Sequence, residues 1–144
     1  MANVHKSVLL WYSAQQMYRL VQDVESYPKF LPWCGGVEVH EANAQCMRAT
    51  LRIDFKGVRQ SFTTCNEQVP DREIRMQLVE GPFSALQGLW AFTPLQDDGA
   101  CQVDFTLDYH FSSKLVEAVI GPVFGHIAKT FVEAFVQRAQ VVYG

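Results

Sequence analysis

The C-terminal part of the chain carries two successive apolar periods, and together they decide the fold. Residues 103–143 read VDFTLDYHFSSKLVEAVIGPVFGHIAKTFVEAFVQRAQVVY. Up to Phe111 every second residue is apolar, which predicts a half-buried β-strand. From Leu115 onward apolar residues recur every three or four positions, which predicts a helix with a wide apolar face. We therefore expect a strand followed at once by a long, largely buried C-terminal helix.

Pro122 interrupts this helical pattern, with Gly121 before it and Gly125 after it. A proline has no N–H to donate to residue 118, and its ring clashes with the preceding turn of a helix. The sequence therefore predicts a short turn first, and then a long helix that begins with Pro122 near its first position.

The two-residue period recurs in earlier segments of the chain. It covers residues 47–55 and 74–78, and a further strand is predicted over residues 4–11. Ser13-Ala14-Gln15-Gln16 forms a capping box that starts a short helix. Turn signals separate the later strands, and they lie at Ala42-Asn43-Ala44, Lys56-Gly57, Val69-Pro70-Asp71, Gly81-Pro82 and Asp98-Gly99. The prediction is an α+β fold, in which a curved seven-stranded antiparallel sheet surrounds the long C-terminal helix.

Length, charge and cysteine spacing limit the class of protein. The 144 residues fit a single domain, residues 1–144, and carry 12 Lys+Arg against 15 Asp+Glu. A sequence pI near 5.7 argues against a dedicated nucleic-acid binder, so no DNA partner is expected. The four cysteines form no C-x-x-C pair, which favours reduced thiols and no metal site. No apolar run approaches the ~18 residues of a membrane span, and we expect a soluble, cytoplasmic protein.

The hairpin turns also predict which residues face each other. Two-residue turns at Lys56-Gly57 and Asp98-Gly99 each fix one register. The predicted pairs are Ile53 with Gln60, Leu51 with Phe62, Phe92 with Phe105, and Trp90 with Leu107. The large apolar residues then share one face of the sheet, as a one-sided core requires.

Polar residues on that inner face indicate a cavity. Gln60, Thr64 and Asn66 lie there among apolar neighbours. A sealed core avoids unpaired polar groups, whereas a ligand pocket uses a few of them. The alternative is that these groups bond to one another or to water, or lie at a wet edge of the sheet. We expect an apolar ligand between sheet and helix, and the lining predicted from the strands and the helix is Gln60, Phe62, Thr64, Phe83, Trp90, Phe92, Phe105, Val123, Ile127 and Phe131.

Motifs of the common catalytic types do not occur in the sequence. It contains no G-x-S-x-G, no H-E-x-x-H and no glycine-rich phosphate loop, and its four histidines are scattered. Glu80 and Asp108 are the acids nearest the apolar strands, but strand parity places Asp108 on the outside. We expect no enzymatic activity, and a general base in the cavity is the weaker alternative.

Four arginines fall on the outer face of the predicted sheet: Arg48, Arg52, Arg59 and Arg75. Turns at residues 42–44 and 69–71 place Glu38, Arg48, Cys65 and Arg75 in one row across four strands. Such a row contacts RNA phosphates in some proteins. More often it is a solvated face with weak ion pairs, here Glu38 with Arg48.

Several stretches of the chain resemble a known family. They are Tyr12-Ser13-Ala14-Gln15-Gln16-Met17-Tyr18, residues 23–34 with Tyr27-Pro28-Lys29-Phe30-Leu31-Pro32, Gly81-Pro82-Phe83, and Gly88-Leu89-Trp90-Ala91-Phe92. They are similar to the START-like family that contains ribosome association toxins and coenzyme Q-binding proteins. The resemblance covers nearly the whole chain. It implies a helix-grip fold with a hydrophobic cavity and no enzymatic activity.

Two roles follow from the resemblance. One is binding a polyprenyl quinone such as ubiquinone, or another isoprenoid lipid, with no other cofactor. The other is binding the large ribosomal subunit, so that the subunits do not associate. For the quinone role, a transient contact with the inner membrane is expected.

The entrance of the cavity is predicted from the order of the turns. In an antiparallel meander alternate connections share one end, so Lys56-Gly57, Gly81-Pro82 and Phe111-Ser112 lie together. The resemblance places the Leu31-Pro32-Trp33 loop at the same end, and so adds Leu31 and Trp33 to the predicted lining. Phe83, Trp33 and Leu31 then form a rim that either admits lipid or plugs the core.

Overall fold

The computed structural model describes residues 2–43, 46–95 and 99–144. Seven strands, two α-helices and one 3₁₀ helix follow in chain order. They are β1 (Ala2–Leu10), α1 (Ala14–Gln22), the 3₁₀ helix (Val24–Lys29), β2 (Cys34–Ala42), β3 (Met47–Phe55), β4 (Val58–Val69), β5 (Glu73–Glu80), β6 (Phe83–Pro94), β7 (Cys101–Phe111) and α2 (Lys114–Tyr143).

The seven strands form one antiparallel sheet in the order β1-β7-β6-β5-β4-β3-β2. Strands β2 to β7 are consecutive hairpin neighbours, because each pairs with the next one along the chain, and β1 closes against β7. The predicted fold class, a seven-stranded antiparallel sheet with a long C-terminal helix, is confirmed.

The first helix begins at the predicted capping box. The Ser13 hydroxyl accepts a hydrogen bond from the Gln16 amide at 3.1 Å, and the Gln16 side chain accepts one from the Ser13 amide at 2.8 Å. Both bonds satisfy amides that a helix start otherwise leaves unpaired. The 3₁₀ helix follows α1 after a single residue.

Helix α2 is continuous from Lys114 to Tyr143. The predicted break at Pro122 is wrong. Pro122 lies inside the helix, where the missing N–H leaves one carbonyl without its usual donor. Ile120 before it and Phe124 after it are both buried, so both sides of Pro122 are anchored in the core. The start is capped by Ser113, whose hydroxyl accepts from the Val116 amide at 3.1 Å.

The core lies between the inner face of the sheet and the middle and C-terminal parts of α2. By length and composition alone α2 is long and apolar enough to cross a membrane, with a mean hydropathy of 1.4 over 18 residues. In this fold the aromatic side chains of its middle and C-terminal parts are buried, whereas Leu115 and Val119 near its start are exposed. Phe135 lies 5.2 Å from Trp90 and 5.3 Å from Tyr27 between ring centroids. One face of α2 therefore belongs to the core.

The register of the β3–β4 hairpin is as predicted. Ile53 faces Gln60 and Leu51 faces Phe62. Lys56 and Gly57 have φ values of +50° and +82°, and a two-residue hairpin turn of this kind requires positive φ at both positions. A glycine accepts that conformation without strain.

Three other registers differ from the prediction. Trp90 faces Phe105 and Phe92 faces Val103. The reason is that β6 ends at Pro94 and β7 begins at Cys101, so the connection is longer than two residues. The proposed turns Ala42-Asn43-Ala44 and Asp98-Gly99 each include a residue outside the described ranges. The β4–β5 turn comprises residues 70–72, since Val69 pairs with Glu73. The partners move by two positions in β4–β5 from Thr64 onward and in β6–β7 from Ala85 onward, so the inner and outer faces are preserved there. In β2 two bulges change the parity along the strand.

The prediction of four reduced thiols is wrong. Cys46 and Cys65 form a disulfide, with Cα atoms 5.7 Å apart across β3 and β4. The β3–β4 register brings the two residues within bridging distance, which spacing along the sequence does not reveal. Cys34 and Cys101 are free and buried, and burial raises the pKa of the Cys101 thiol to about 11. The cysteines therefore give no support for a reducing compartment.

Candidate ligand-binding cavity

A cavity lies between the inner face of the sheet and the middle of α2. Its volume, counted as the space open to the centre of a water molecule, is about 50 Å³. The sheet contributes residues from β3 to β7, and the 3₁₀ helix and the residues after it close one side. The lining consists of Val24, Tyr27, Trp33, Ala49, Leu51, Phe62, Thr64, Asn66, Met76, Leu86, Phe105, Leu107, Phe124, Ile127, Ala128 and Phe131.

Half of the predicted lining residues are placed around this cavity. Six of the twelve lie there: Trp33, Phe62, Thr64, Phe105, Ile127 and Phe131. They come from four different parts of the chain: the residues before β2, β4, β7 and α2. Strand parity predicted the sheet residues among them, and the helical period predicted Ile127 and Phe131.

The other six predicted residues lie elsewhere. Gln60 is exposed near the β3–β4 turn, and Val123 is half-buried on α2. Leu31, Phe83, Trp90 and Phe92 are buried in the packed core beside the cavity. Parity predicts the face on which a side chain lies, but not whether a neighbour fills the space in front of it.

Trp90 shows how a neighbour fills that space. Its ring lies 4.6 Å from Phe105 and 5.7 Å from Phe131 between centroids. Those two rings separate it from the cavity, and Phe92 stacks on its other side at 6.0 Å. Its Nε1 is fully enclosed and makes no hydrogen bond with the part of the chain that the structure describes.

Sequence reasoning missed several lining residues, including Tyr27, Ala49, Met76, Phe124 and Ala128. Phe124 and Ala128 belong to the apolar α2 row beside the one containing Ile127 and Phe131, so the helical period contained the signal. Ala49 has the same parity as Leu51. The position of Tyr27 depends on how the 3₁₀ helix packs under α2, and no local period encodes that.

Thr64 and Asn66 provide the polar side of the cavity. Both are buried, and the Thr64 hydroxyl donates to Asn66 Oδ1 at 2.9 Å. The alternative that the inner polar groups bond to each other is therefore correct for these two. They still face the cavity, because both belong to its lining.

Tyr27 is the one lining residue among those described that can titrate. Its hydroxyl donates to the Val21 carbonyl at 2.5 Å, and burial raises its pKa far above the ordinary value. A tyrosine held in this way stays protonated and continues to donate its hydrogen bond to the Val21 carbonyl. Glu80 and Asp108 do not line the cavity.

Of the two alternatives for the rim, the buried plug agrees with the structure and the open entrance does not. Trp33 is 4% exposed and Phe83 is 5% exposed, so neither ring forms an open rim. The three connections at Lys56-Gly57, Gly81-Pro82 and Phe111-Ser112 do lie at one end of the sheet, as the strand order requires. Phe83 closes that end, with its ring centroid 4.9 Å from Phe124 and 5.2 Å from Phe111.

The proposed row of charged residues on the outer face does not form. Arg48 lies opposite Cys65 as predicted, but Cys65 pairs with Gln77, and Glu38 pairs with Thr50. Register shifts in β2 and the displaced β4–β5 turn separate the four residues. Glu41, not Glu38, is the acidic residue opposite Arg48.

The four arginines themselves are exposed on the outer face, as predicted. Arg59 pairs with Asp54 at 3.7 Å and Arg75 with Glu73 at 3.4 Å. Arg48 and Arg52 have no ion pair with the described residues. The face is therefore a mixture of charges and not a continuous basic patch.

Comparison with known proteins gives relatives over the full length. A family model described as "Polyketide cyclase / dehydrase and lipid transport" matches residues 10–136. The chain is 44% identical over 144 residues to "Ribosome association toxin RatA" of Vibrio cholerae, covering 100% of this chain and 99% of that protein. It is 30% identical to "Coenzyme Q-binding protein COQ10 homolog B, mitochondrial" of Xenopus laevis, covering 96% of this chain and 58% of that protein.

Solved structures share the fold. The ZhuI aromatase/cyclase of Streptomyces sp. R1128 superposes with a TM-score of 0.83 at 18% identity, covering 96% of this chain and 93% of that chain. At this identity the likeness establishes the helix-and-sheet architecture alone, and not the chemistry of the cavity.

Proposed function

Because the chain belongs to the START-like polyketide cyclase/dehydrase and lipid transport family, we propose that it binds an apolar ligand, a polyprenyl quinone, between the sheet and α2. One observation carries the proposal. An apolar cavity with a single polar pair, Thr64 and Asn66, lies under the long helix. Ligand pockets combine apolar walls with a few such groups. The coenzyme Q-binding relative supports a quinone as the ligand.

The cavity is small and must enlarge when a ligand binds. Its volume of about 50 Å³ compares with roughly 300–1,000 Å³ for pockets of drug-sized ligands. On α2 the lining begins at Phe124, and the helix before it is loosely packed, because Ile120 is the one buried residue between positions 114 and 123. We propose that residues 114–123 move away from the sheet during uptake and draw Phe124 with them, which opens the cavity at that end.

The energetics favour a long isoprenoid tail once space exists. Each buried CH₂ group contributes about 0.8 kcal/mol. Several isoprene units offset the contacts that α2 loses when its first turns shift. The tail therefore supplies affinity, and the ring supplies selectivity through its oxygens.

Binding fits the cavity better than catalysis. Among the described lining residues no carboxylate or imidazole is present, and the Tyr27 hydroxyl is engaged by Val21. A general base needs a titratable group within reach of the substrate. We therefore propose a binding protein and not a cyclase, although the fold is shared with cyclases.

A fluorescence titration tests the proposal. Trp33 lines the cavity and Trp90 contacts two lining rings, so a bound quinone changes their emission. Trp11 is 86% exposed, and a Trp11→Phe background removes its signal. We expect a saturable one-site change with decylubiquinone. A strictly linear response, equal to that of free tryptophan, would contradict ligand binding.

A second candidate function is association with the large ribosomal subunit. The name of the Vibrio cholerae relative favours it, at 44% identity over the whole chain. The surface available for RNA phosphates is the outer sheet face, where Arg48 and Arg52 are exposed. These two arginines are the candidates for phosphate contacts, since Arg59 and Arg75 already face acidic partners.

Charge reversal tests this second candidate. We expect Arg48→Glu with Arg52→Glu to weaken co-sedimentation with large subunits severalfold, and added salt to weaken the wild type, because phosphate contacts release counterions. The double variant Lys29→Glu with Lys129→Glu carries the same charge change at other exposed sites and is the control. Equal loss in both double variants would remove the outer face from the proposal.

A transient membrane contact, if it serves quinone uptake, needs a different surface from the predicted rim. Leu115 is 76% exposed and Val119 is 61% exposed on the loosely packed start of α2. We propose these two side chains, rather than Trp33 and Phe83, as the part of the molecule that touches lipid.

A further inference from the structure

The one polar position in the cavity has unused hydrogen-bonding capacity. Asn66 is 6% exposed, and its Oδ1 accepts the Thr64 hydroxyl at 2.9 Å. Its amide nitrogen makes no hydrogen bond with the described residues. The nitrogen is also not sealed inside the core, unlike the enclosed Trp90 Nε1. Since Asn66 lines the cavity, its two N–H groups are available to a ligand there.

The Thr64 hydroxyl contacts the oxygen end of the Asn66 amide. Residues 64 and 66 are two apart on β4, so both side chains lie on the inner face. The hydroxyl donates to Oδ1. The NH₂ end is therefore not the end bonded to Thr64, and its two N–H groups remain to donate.

The surrounding residues offer the Asn66 amide nothing else. Across the neighbouring strands Thr64 faces Ala49 and Leu78, and Asn66 faces Met47 and Met76. All four side chains are apolar, and the small Ala49 leaves space in front of the pair. A buried N–H pair without a partner is unfavourable, so a ligand that accepts hydrogen bonds gains affinity at this position.

We propose that Thr64 and Asn66 form a subsite that selects, among apolar ligands, those with a carbonyl oxygen. The inference rests on the proposed ligand-binding function and adds the chemical feature that the ligand must carry. A quinone ring has two such oxygens, whereas a hydrocarbon lipid has none. The apolar walls bind either kind of tail, and the Asn66 amide distinguishes the head groups.

The test compares two probes with the same alkyl tail, decylubiquinone and decylbenzene. We expect the Trp11→Phe protein to bind both, and to prefer the quinone. In Asn66→Leu the preference should fall about threefold to tenfold, the range of one hydrogen bond, through weaker quinone binding. Decylbenzene should bind Asn66→Leu as well as before or better.

Thr64→Val and Thr63→Val extend the test. Thr64→Val releases the amide from its fixed orientation and should lower the preference in the same direction, which keeps the test available should Asn66→Leu fail to fold. Thr63→Val is the matched control, because Thr63 is also buried on β4 but its hydroxyl pairs with Thr50 at 2.6 Å on the opposite face. The preference of Thr63→Val for decylubiquinone over decylbenzene should equal that of the parent protein.

The outcomes distinguish a failure of the Thr64–Asn66 subsite from a failure of the ligand-binding function. Binding of both probes, with a preference unchanged in Asn66→Leu and Thr64→Val, would overturn the subsite and leave the ligand-binding function standing. Binding of neither probe by the parent protein would overturn the function and the subsite together.

Discussion

We expect Phe83→Ala to lower the free energy of unfolding by about 3–5 kcal/mol, the usual cost of removing an aromatic ring from a core. Phe83 is buried, and its ring contacts Phe62, Phe111 and Phe124 with centroids 4.9–6.0 Å apart. Removing it leaves a void at the closed end of the sheet. Urea denaturation followed by circular dichroism measures the change.

Val119→Ala is the control for Phe83→Ala. Val119 is exposed on α2, so its truncation should change the free energy of unfolding by no more than about 0.5 kcal/mol. If Phe83→Ala also cost less than about 1 kcal/mol and accelerated ligand uptake, Phe83 would be a gate and not a plug. The structure favours the plug, because four aromatic rings from β4, β7 and α2 surround it.

The second large effect concerns the cavity itself. We expect Ala128→Leu to weaken decylubiquinone binding at least tenfold, or about 1.4 kcal/mol. Ala128 is buried in the cavity wall on α2, and leucine would place three further carbon atoms in a space of about 50 Å³. Because the new side chain fills a void, the free energy of unfolding should change by no more than about 1–2 kcal/mol.

Ala118→Leu makes the same substitution at an exposed position of the same helix. It should leave both affinity and stability close to those of the parent. The titration is the one described for the Trp11→Phe protein. Full affinity in a folded Ala128→Leu variant would mean that the ligand binds elsewhere on the molecule.

Local periodicity predicted the fold because each element repeats one pattern. The alternation up to Phe111 and the helical rows from Leu115 correspond to β7 and α2. The capping box at Ser13 corresponds to the start of α1. These signals involve neighbours in the chain, and no tertiary contact overrides them.

Register depends on turns, and here the sequence was less informative. The Lys56-Gly57 turn has one favourable geometry, so its hairpin was predicted correctly. The β4–β5 turn has Asp71 at a φ of +63°, and its three residues start one position later than predicted. The bulges in β2 leave no mark in the apolar pattern, so the charged row could not be tested from sequence.

The remaining differences come from packing. Pro122 weakens a helix locally, but Ile120 and Phe124 on either side are both buried and hold α2 together. Trp90 and Phe92 face inward as predicted, yet Phe105 and Phe131 occupy the space between Trp90 and the cavity. Side-chain volumes on the sheet, the 3₁₀ helix and α2 together decide which inward residues border the cavity. No single segment of the sequence encodes that packing.

The most direct measurement is native mass spectrometry of the purified full-length protein, followed by organic extraction and identification of any bound lipid. We predict a bound species at a ratio of one per chain, released by the solvent and identified as a polyprenyl quinone. The Ala128→Leu variant, prepared in parallel, should lack it while Ala118→Leu retains it. A wild-type protein that carries no lipid and takes up none from quinone-containing vesicles would contradict the account.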